Sequence, residues 1–490
     1  MKKRLVFLLI LSFSLFGSVT FEKTFGKQWN DHANAIIQTS DGGYLFTGCK
    51  RDSSDYKFTL FSLSKLNVNG DSEWEKVATS FLSDNEYTCE GYSVIETTDG
   101  GFAISGSLET FGAMGFTCTD MYIVKTDYNG NLQWYSFCDL TGQGYRFGFQ
   151  IIQTYDDGFV IIGESKMFLS DNADTIILKL DSEGYFEWIK PYAQELYNGR
   201  SIVQTKDNGL AFISTIIDES DNTLQSLVKT DSLCNETWRK TYNGLFSYSL
   251  GYSLKHALGG GFIIFGMSNQ NYYGDLARLI KTDDNGEIIW DKYYGNLENA
   301  DENTVGRSID ITSDGGYILA GYTENISTGL ADAWLIKTDS EGNEIWKKMY
   351  GREGDDRIYS VQETTDKGFI LAGYTDSIGT GGKEMWIIKT DETGTEIESP
   401  FLPQTTELYQ NYPNPFNPTT EISFDLQKEG HVNLTIYNSK GELVRTLFKG
   451  LKGQGMHTIN FDASGLDSGL YFYKLTSEDD TITRKMLFLK

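Results

Sequence analysis

Residues 308–351 read SIDITSDGGYILAGYTENISTGLADAWLIKTDSEGNEIWKKMYG, and close variants of this stretch recur so that the chain carries seven copies. A glycine turn marks each copy: Asp41-Gly42-Gly43, Asp99-Gly100-Gly101, Asp157-Gly158, Asn208-Gly209, Gly260-Gly261, Asp314-Gly315-Gly316 and Lys367-Gly368. Successive turns are 51 to 58 residues apart, a period that belongs to repeat architectures. A tryptophan marks six of them: Trp74, Trp134, Trp188, Trp238, Trp290 and Trp346, with Glu398 at the seventh position.

Each copy reads as four short strands, A to D, at 308–312, 317–322, 333–338 and 344–350 in the quoted stretch. The runs are short, rich in β-branched and aromatic residues, and bounded by Gly, Asp and Asn. No sustained helical period appears. The C–D turn has the pattern Asp-x-x-Gly, as in Asp127…Gly130 and Asp339…Gly342. The acid caps local amides, and the glycine accepts the positive φ of a type I turn followed by a bulge. The fourth copy has Cys234 there, which leaves Asn235 to take the left-handed role. Four-stranded meanders repeated around an axis make a propeller. The expected fold class is therefore all-β: a seven-bladed β-propeller over 21–399, followed by a small domain. Each tryptophan is expected to dock between neighbouring blades, where burial of a large side chain contributes about 1.5–3 kcal/mol.

The Gly-to-Trp spacing resembles the tryptophan-docking motif of quinoprotein-type propellers. The likeness is partial, because the Asp-to-Gly spacing is one residue shorter and the alanine and threonine of that motif are missing. It implies shared blade geometry and no quinone site.

Residues 20–26, TFEKTFG, align with 345–351, IWKKMYG. The chain thus has a spare strand D at its start, with Phe21 at the tryptophan position, and lacks one after the seventh copy. The spare strand is expected to close the last blade. From the strand-C lysine (Lys65, Lys125, Lys179, Lys229, Lys281, Lys337, Lys389) to the tryptophan position is nine residues in every copy. Length varies instead in the B–C and D–A connections, which chain alternation puts on one face. Variable loops on a rigid scaffold usually carry binding, so that face is the candidate ligand surface.

The formal charge is −26 over 490 residues. Residues 1–20 read as a signal peptide, with a basic start and a twelve-residue apolar run, too short to span a bilayer. No other stretch is long and apolar enough to span, so no transmembrane segment is expected after signal removal. Without the signal and with the near-neutral tail set aside, the repeats carry about −28. Such a surface repels nucleic acid.

Five of the six prolines, Pro400, Pro403, Pro413, Pro415 and Pro418, mark a stiff linker over 400–418. Residues 404–490 read as a separate β domain with strands at 421–426, 432–437, 443–448, 457–461, 470–475 and 481–489. The run Tyr412-Pro413-Asn414-Pro415-Phe416-Asn417-Pro418 and its flanks resemble the opening of the type IX secretion system C-terminal sorting domain. The stretches 469–475 and 484–486 resemble its later motifs. The resemblance covers about 85 residues and implies an Ig-like sandwich that carries cargo across the outer membrane. The partner it implies is the type IX machinery, and the location it implies is the outer cell surface or the medium.

No catalytic residue, cofactor ligand or metal ligand is assigned. His32, His256, His431 and His457 sit in no metal-binding spacing, and no nucleophile elbow or phosphate loop appears. The acidic pairs at 301–302 and 355–356 read as solvated loops, with Ca²⁺ ligation as the alternative. Cys49, Cys89, Cys118 and Cys138 are expected together at the D–A/B–C end of the first two copies. Export permits disulfides. Three pairings are possible, of which Cys49–Cys89 with Cys118–Cys138 is the preferred one. Cys234 is left over. The functional expectation is a secreted or surface-attached binding or structural protein for an unknown extracellular ligand. The alternative is a secreted propeller enzyme acting on polysaccharide or peptide.

Overall fold

A computed structural model describes residues 19–26, 30–51, 59–77, 89–111, 117–138, 144–167, 173–244, 248–269, 274–296, 302–378, 382–395, 406–411, 413–426, 430–452, 455–477 and 480–490. Residues 1–18 of the signal peptide expected over 1–20, Glu398, Tyr412 and residues 400–405 of the linker expected over 400–418 lie outside them. Every element among the described residues is a strand. The chain divides into two compact units, 1–396 and 397–490.

The quoted stretch folds as an antiparallel sheet of Glu302–Ile311, Tyr317–Asn325, Ala331–Thr338 and Glu344–Tyr350, paired in chain order. Strand A starts six residues earlier than its repeat pattern suggests, because ladder pairing extends from Ile311↔Tyr317 out to Glu302↔Asn325. The first copy forms the same sheet from His32–Gln38, Tyr44–Arg51, Thr59–Leu66 and Ser72–Val77, and the fifth from four strands between Ser249 and Tyr294. The second, third and fourth copies run together as one eleven-stranded sheet. The second and third join at the parallel pair Tyr145↔Thr119, and the third and fourth join through Phe186–Gln204, a single nineteen-residue strand. Its first part pairs with Asp174–Leu180 as the third copy's strand D, and its end pairs with Leu210–Ile217 as the fourth copy's strand A. With no loop between them, two strands that the repeat pattern separates become one bent strand. In the seventh copy, Phe21–Phe25 pairs antiparallel with Glu384–Thr390 and completes a four-stranded sheet.

The strand-C lysine organises six of the seven copies. It lies opposite the tryptophan in the C–D ladder, as in Lys65↔Trp74, Lys337↔Trp346 and, at the N-terminal strand, Lys389↔Phe21. Its side chain is nearly buried, with 3% exposed at Lys65 and none at Lys389. The ammonium reaches the aspartate of the A–B turn: Lys65–Asp41 at 2.9 Å, Lys125–Asp99 at 2.8 Å, Lys179–Asp156 at 3.1 Å, Lys229–Asp207 at 2.8 Å, Lys337–Asp314 at 2.9 Å and Lys389–Asp366 at 2.9 Å. It also donates to the carbonyl of the next residue, for example Lys229 Nζ to Thr230 O at 2.7 Å. Each aspartate is fixed in turn by a threonine hydroxyl two residues earlier and by the turn glycine amide, as at Thr312, Asp314 and Gly316. The fifth copy departs: its turn has Ala257 and Gly259-Gly260-Gly261, and Asp284 accepts from the Gly261 amide at 2.6 Å instead.

Neighbouring sheets lock through the tryptophans. The C–D turn glycine of one copy lies against the ring of the copy before: Gly130 on Trp74, Gly184 on Trp134, Gly286 on Trp238, Gly342 on Trp290 and Gly394 on Trp346. Gly70 of the first copy lies on Phe21, which sits in the seventh sheet. A Cβ on any of these glycines would come within 2.9 Å of the ring, and all have φ between +71° and +84°. In the fourth copy Cys234 itself takes the left-handed conformation, with φ +60°, and Asn235 does not. The thiol is fully buried beside Trp188. Tyr242, Tyr294 and Tyr350, four residues after the tryptophan, donate across to the carbonyls of Gly286, Gly342 and Gly394 at 2.6–2.8 Å.

The second unit has two antiparallel sheets. One contains Glu407–Leu408, Thr419–Leu426 and Gly455–Asp462. The other contains Leu443–Lys452, Gly430–Asn438, Gly469–Thr476 and Thr481–Phe488. They share one core that includes Ile422, Phe424, Leu434, Ile436, Tyr473 and Met486.

The lysine pairs make two outcomes measurable. Burial opposes ionisation of Asp99 and Asp314, but hydrogen bonds from lysine and threonine outweigh it and hold both at about 2. At Asp207 the Lys229 hydrogen bond is the largest influence, with the same result of about 2. These folded-state values lie below the unfolded carboxyl at about 3.9. Their stabilisation is therefore complete above that value and is lost as pH falls through about 2. Urea midpoints are expected to hold steady down to about pH 5 and then to drop. Separately, Asp366→Ala leaves the Lys389 ammonium buried without its acid and is expected to cost about 3–5 kcal/mol. Lys389→Met, which removes the buried charge, is expected to cost less in the same denaturation experiment.

Candidate functional site: a cavity ringed by strand bulges

Strand A of every copy carries a β-bulge. The register shifts across Asn34, Tyr92, Phe149, Tyr252, Arg307 and Tyr359, and across the three residues Asn198–Arg200 in the fourth copy. The cause lies on strand B. Gly48, Gly106, Gly163, Gly266, Gly321 and Gly373 stand opposite the bulge, five residues after the last turn glycine. A Cβ there would come within 2.0 Å of a strand-A carbonyl, such as Val305 O for Gly321 and Arg357 O for Gly373. Glycine lets the backbones close in, and the extra residue is turned out of the ladder. The fourth copy has Ser214 at that place, and its bulge is correspondingly wider.

All seven bulge residues line one cavity of about 640 Å³. His32, Cys49, Arg51, Glu90, Tyr374 and Lys383 line it as well. They belong to the starts of strands A, the ends of strands B and the approach to a strand C, so the cavity opens at the D–A/B–C side. Its volume falls within the usual range for small-molecule sites.

The chemistry is cationic and aromatic. Arg200 stacks on Phe149 at 3.9 Å from the ring centroid and faces Glu164 at 3.6 Å. Arg307 sits among three tyrosines, 4.6 Å from the centroid of Tyr252, 5.2 Å from Tyr359 and 5.6 Å from Tyr322. Burial, opposed by Arg307, pushes Tyr359 up to about 12, so its hydroxyl stays neutral. Glu90 is the one carboxylate among the described lining residues. It accepts from Asn34 at 2.9 Å and Tyr92 at 3.1 Å, and meets His32 Nε2 at 2.6 Å. Burial would raise its pKa, but these partners, His32 first, outweigh burial and hold it below its ordinary value.

Asp355 and Asp356 are not solvated. Asp355 holds Arg357 at 2.7 Å, Lys383 at 2.7 Å and the Tyr374 hydroxyl at 2.6 Å, and fully buried Asp356 accepts from Ser377 at 2.8 Å. No group of three or more metal-ligating side chains occurs among the described residues. Cys49, Cys89 and Cys138 are buried near this end of the first two copies. The Cys89 thiol accepts from the Phe61 amide at 3.2 Å, and burial pushes it up to about 11. Cys118 lies in strand Thr117–Thr126. The six tryptophans are half-buried at the sheet junctions, away from the cavity lining. Sequence reading located them but missed the bulge residues, whose signal was the strand-B glycine.

In the second unit the proline-rich motif is part of the fold. Phe416 is buried between Phe461 and Phe488, at 6.0 and 5.2 Å between centroids. Its backbone pairs with Leu487 and Leu489 at 3.1 Å, and Asn414 Oδ1 accepts from the Leu487 amide at 2.8 Å. Asn411 ties Pro413 O to Thr420, and Pro418 O accepts from the Ala463 amide. Pro415 and Asn417 complete this loop, which is pinned on the last strand.

Residues 410–488 match the secretion system C-terminal sorting domain. The tail is a type IX sorting signal. The protein is exported by that route to the cell surface or the extracellular space, and the tail implies interaction with the type IX machinery. No curated protein matches the chain in sequence. Among solved structures, it is similar to a fungal alcohol oxidase of the AA5 family in complex with copper, at 11% identity, over 96% of this chain and 98% of that one, with a TM-score of 0.44. It is also similar to an acylaminoacyl peptidase from Pyrococcus horikoshii, at 12% identity, 81% and 59% coverage and a TM-score of 0.37. A third similarity is to a eukaryotic initiation factor, at 9% identity, 90% and 92% coverage and a TM-score of 0.33.

The glycine account of the bulges is testable. Gly321→Ala places a methyl about 2.0 Å from Val305 O and is expected to cost about 1–3 kcal/mol through overpacking. The same change at half-buried Gly430, where a Cβ meets nothing within 4 Å, is expected to be near neutral. Thermal melts of the two variants make the comparison.

Proposed function

We propose that the exported protein is a binding protein whose repeats form a seven-bladed β-propeller, and that its ligand enters the cavity ringed by the strand-A bulges. The observation that carries the reading is the convergence of all seven equivalent bulge residues on one cavity. Propeller closure is supported by links between neighbouring A strands. Ile36 N donates to Ser360 at 3.2 Å, Val361 N to Ser308 at 3.2 Å, Leu254 N to Ser201 at 3.0 Å and Ile202 N to Gln150 at 2.6 Å. Ser40 with Glu96, Ile151 with Ser93 and Lys255 with Asp310 bridge the remaining junctions. The Phe21–Gly70 contact and the pairing of Phe21–Phe25 with the seventh sheet support the N-terminal strand as its closing element. On this reading the mature chain begins near residue 21, the propeller ends near 399, and the tail is an Ig-like sandwich reached through the proline-rich linker. The tryptophans are then the docking residues between blades. The preferred Cys49–Cys89 bridge is not formed, since Cys89 is a free thiol that accepts from the Phe61 amide.

The alternative is an enzyme acting on polysaccharide or peptide. The close contact of His32 with Glu90 inside the cavity is the observation that favours it. Glycoside hydrolysis ordinarily needs two flanking carboxylates, and the described lining offers Glu90 alone.

A glycan and peptide array probed with the exported protein tests the two readings. Binding that Tyr92→Ala and Tyr252→Ala both weaken supports the cavity as the site. Binding unchanged by either variant sinks it, and cleavage of array members selects the enzyme.

A further inference from the structure

The cavity departs in charge from the molecule around it. The chain carries a formal −26, yet the described lining residues include four cations, Arg51, Arg200, Arg307 and Lys383, against the single carboxylate Glu90. Two of these cations are neutralised nearby: Lys383 holds Asp355 at 2.7 Å and Arg200 faces Glu164 at 3.6 Å. Glu90 is itself engaged by His32.

Arg51 and Arg307 are left, each with a buried Nε that has no hydrogen-bond partner, and of the two Arg307 is the one set among aromatic rings. Among the described residues no carboxylate lies within 4.0 Å of it, and its Nε is buried without a hydrogen-bond partner. Three other arginines of the repeats that are drawn out of solvent have an acid: Arg146 has Asp120 at 3.0 Å, Arg278 has Asp291 at 2.8 Å and Arg357 has Asp355 at 2.7 Å. Three tyrosine rings attract the Arg307 guanidinium, but a ring face does not accept in-plane N–H donors, and the buried Nε has no partner. A planar donor fork of this kind matches a carboxylate with two parallel hydrogen bonds.

The remaining walls restrict what carries that carboxylate. The described lining has four aromatic bulge residues, Tyr92, Phe149, Tyr252 and Tyr359, together with amide, imidazole and hydroxyl groups, and no aliphatic side chain. A fatty acid or an aliphatic peptide terminus finds no matching surface there. A sugar ring does: its C–H face lies on an aromatic ring, and its hydroxyls meet Asn34, His32 and Glu90 at the rim. The volume of about 640 Å³ accommodates a short oligosaccharide.

We propose that the cavity binds an acidic saccharide, with a uronic acid carboxylate seated on Arg307 between Tyr252 and Tyr359. The proposal rests on the cavity being the ligand site.

Calorimetry on the exported protein tests it with digalacturonate, with neutral digalactose as the uncharged analogue and with a dipeptide as the alternative carboxylate source. Digalacturonate is expected to bind, digalactose to bind at least tenfold more weakly, and the dipeptide not to bind. Arg307→Gln is expected to weaken digalacturonate at least tenfold and to leave digalactose unchanged. Arg307→Lys, which keeps the charge but loses the fork, is expected to fall between. Lys206→Gln, on an exposed A–B turn, is expected to behave as wild type. Equal affinity for the two disaccharides, or full digalacturonate binding by Arg307→Gln, overturns the acidic-saccharide assignment while leaving the cavity as a binding site. Binding of the dipeptide alone also overturns it. Absence of binding to any saccharide or peptide overturns this assignment and the binding-site reading together. If Arg307→Gln fails to fold, the wild-type comparison of the disaccharides and the Arg307→Lys result decide the matter.

Discussion

The repeats depend on a lysine that is taken out of water inside a sheet. Burying an ammonium costs several kcal/mol unless charge and hydrogen bonds answer it. In six copies the answer is the same: an A–B turn aspartate, itself fixed by a threonine hydroxyl and a glycine amide, and the carbonyl of the residue after the lysine. The pair ties the A–B turn to strand C. The lysine also lies across the ladder from the tryptophan, so the residue that secures one sheet is in register with the ring that docks on the next. This explains why the lysine-to-tryptophan spacing tolerates no change while the loops at the other end vary by several residues. The fifth copy dispenses with the turn aspartate, and there Asp284 from the following turn accepts from the Gly261 amide.

Docking sets a second constraint. A tryptophan ring in van der Waals contact with the next C–D turn leaves no room for a Cβ, and the turn needs a positive φ. Glycine meets both demands. Cys234 meets them in another way, by adopting φ +60° and filling the space beside Trp188 with sulfur. Phe21 replaces the tryptophan where the N-terminal strand supplies the edge. The rigid end of the repeats is thus built from repeated contacts. The opposite end, where strand A bulges, is free to differ from copy to copy.

That freedom produces the cavity. Equivalent backbone positions present Asn34, Tyr92, Phe149, Arg200, Tyr252, Arg307 and Tyr359, seven places filled by four polar or aromatic chemistries. Glycine on strand B fixes where the bulge falls and leaves its side chain open to choice. In the tail the constraint is of the ordinary kind: Phe416 fills a core that both sheets share, and the proline-rich loop around it is anchored by Asn411, Asn414 and Tyr473.

The sequence by itself determined the repeat, the strand class, the tryptophan positions, the left-handed turn glycines, the spare N-terminal strand and the sorting tail. Each is a local demand, such as a period, a φ or a spacing, that residue type answers directly. It did not reveal the partner of the buried lysine, because Lys337 and Asp314 are 23 residues apart and meet only once strands A to C have paired. It did not reveal that the third and fourth copies share one strand, since loop and strand differ there only in how the backbone pairs. Asp355 read as a loop acid for want of any signal that Arg357, Lys383 and Tyr374 would close on it. The cavity was hidden for the same reason. Its seven lining positions lie some 50 residues apart, and a bulge exists only relative to a partner strand. Convergence is a property of the assembled sheets, and the close approach of strand A to the strand-B glycines is the contact that decides it.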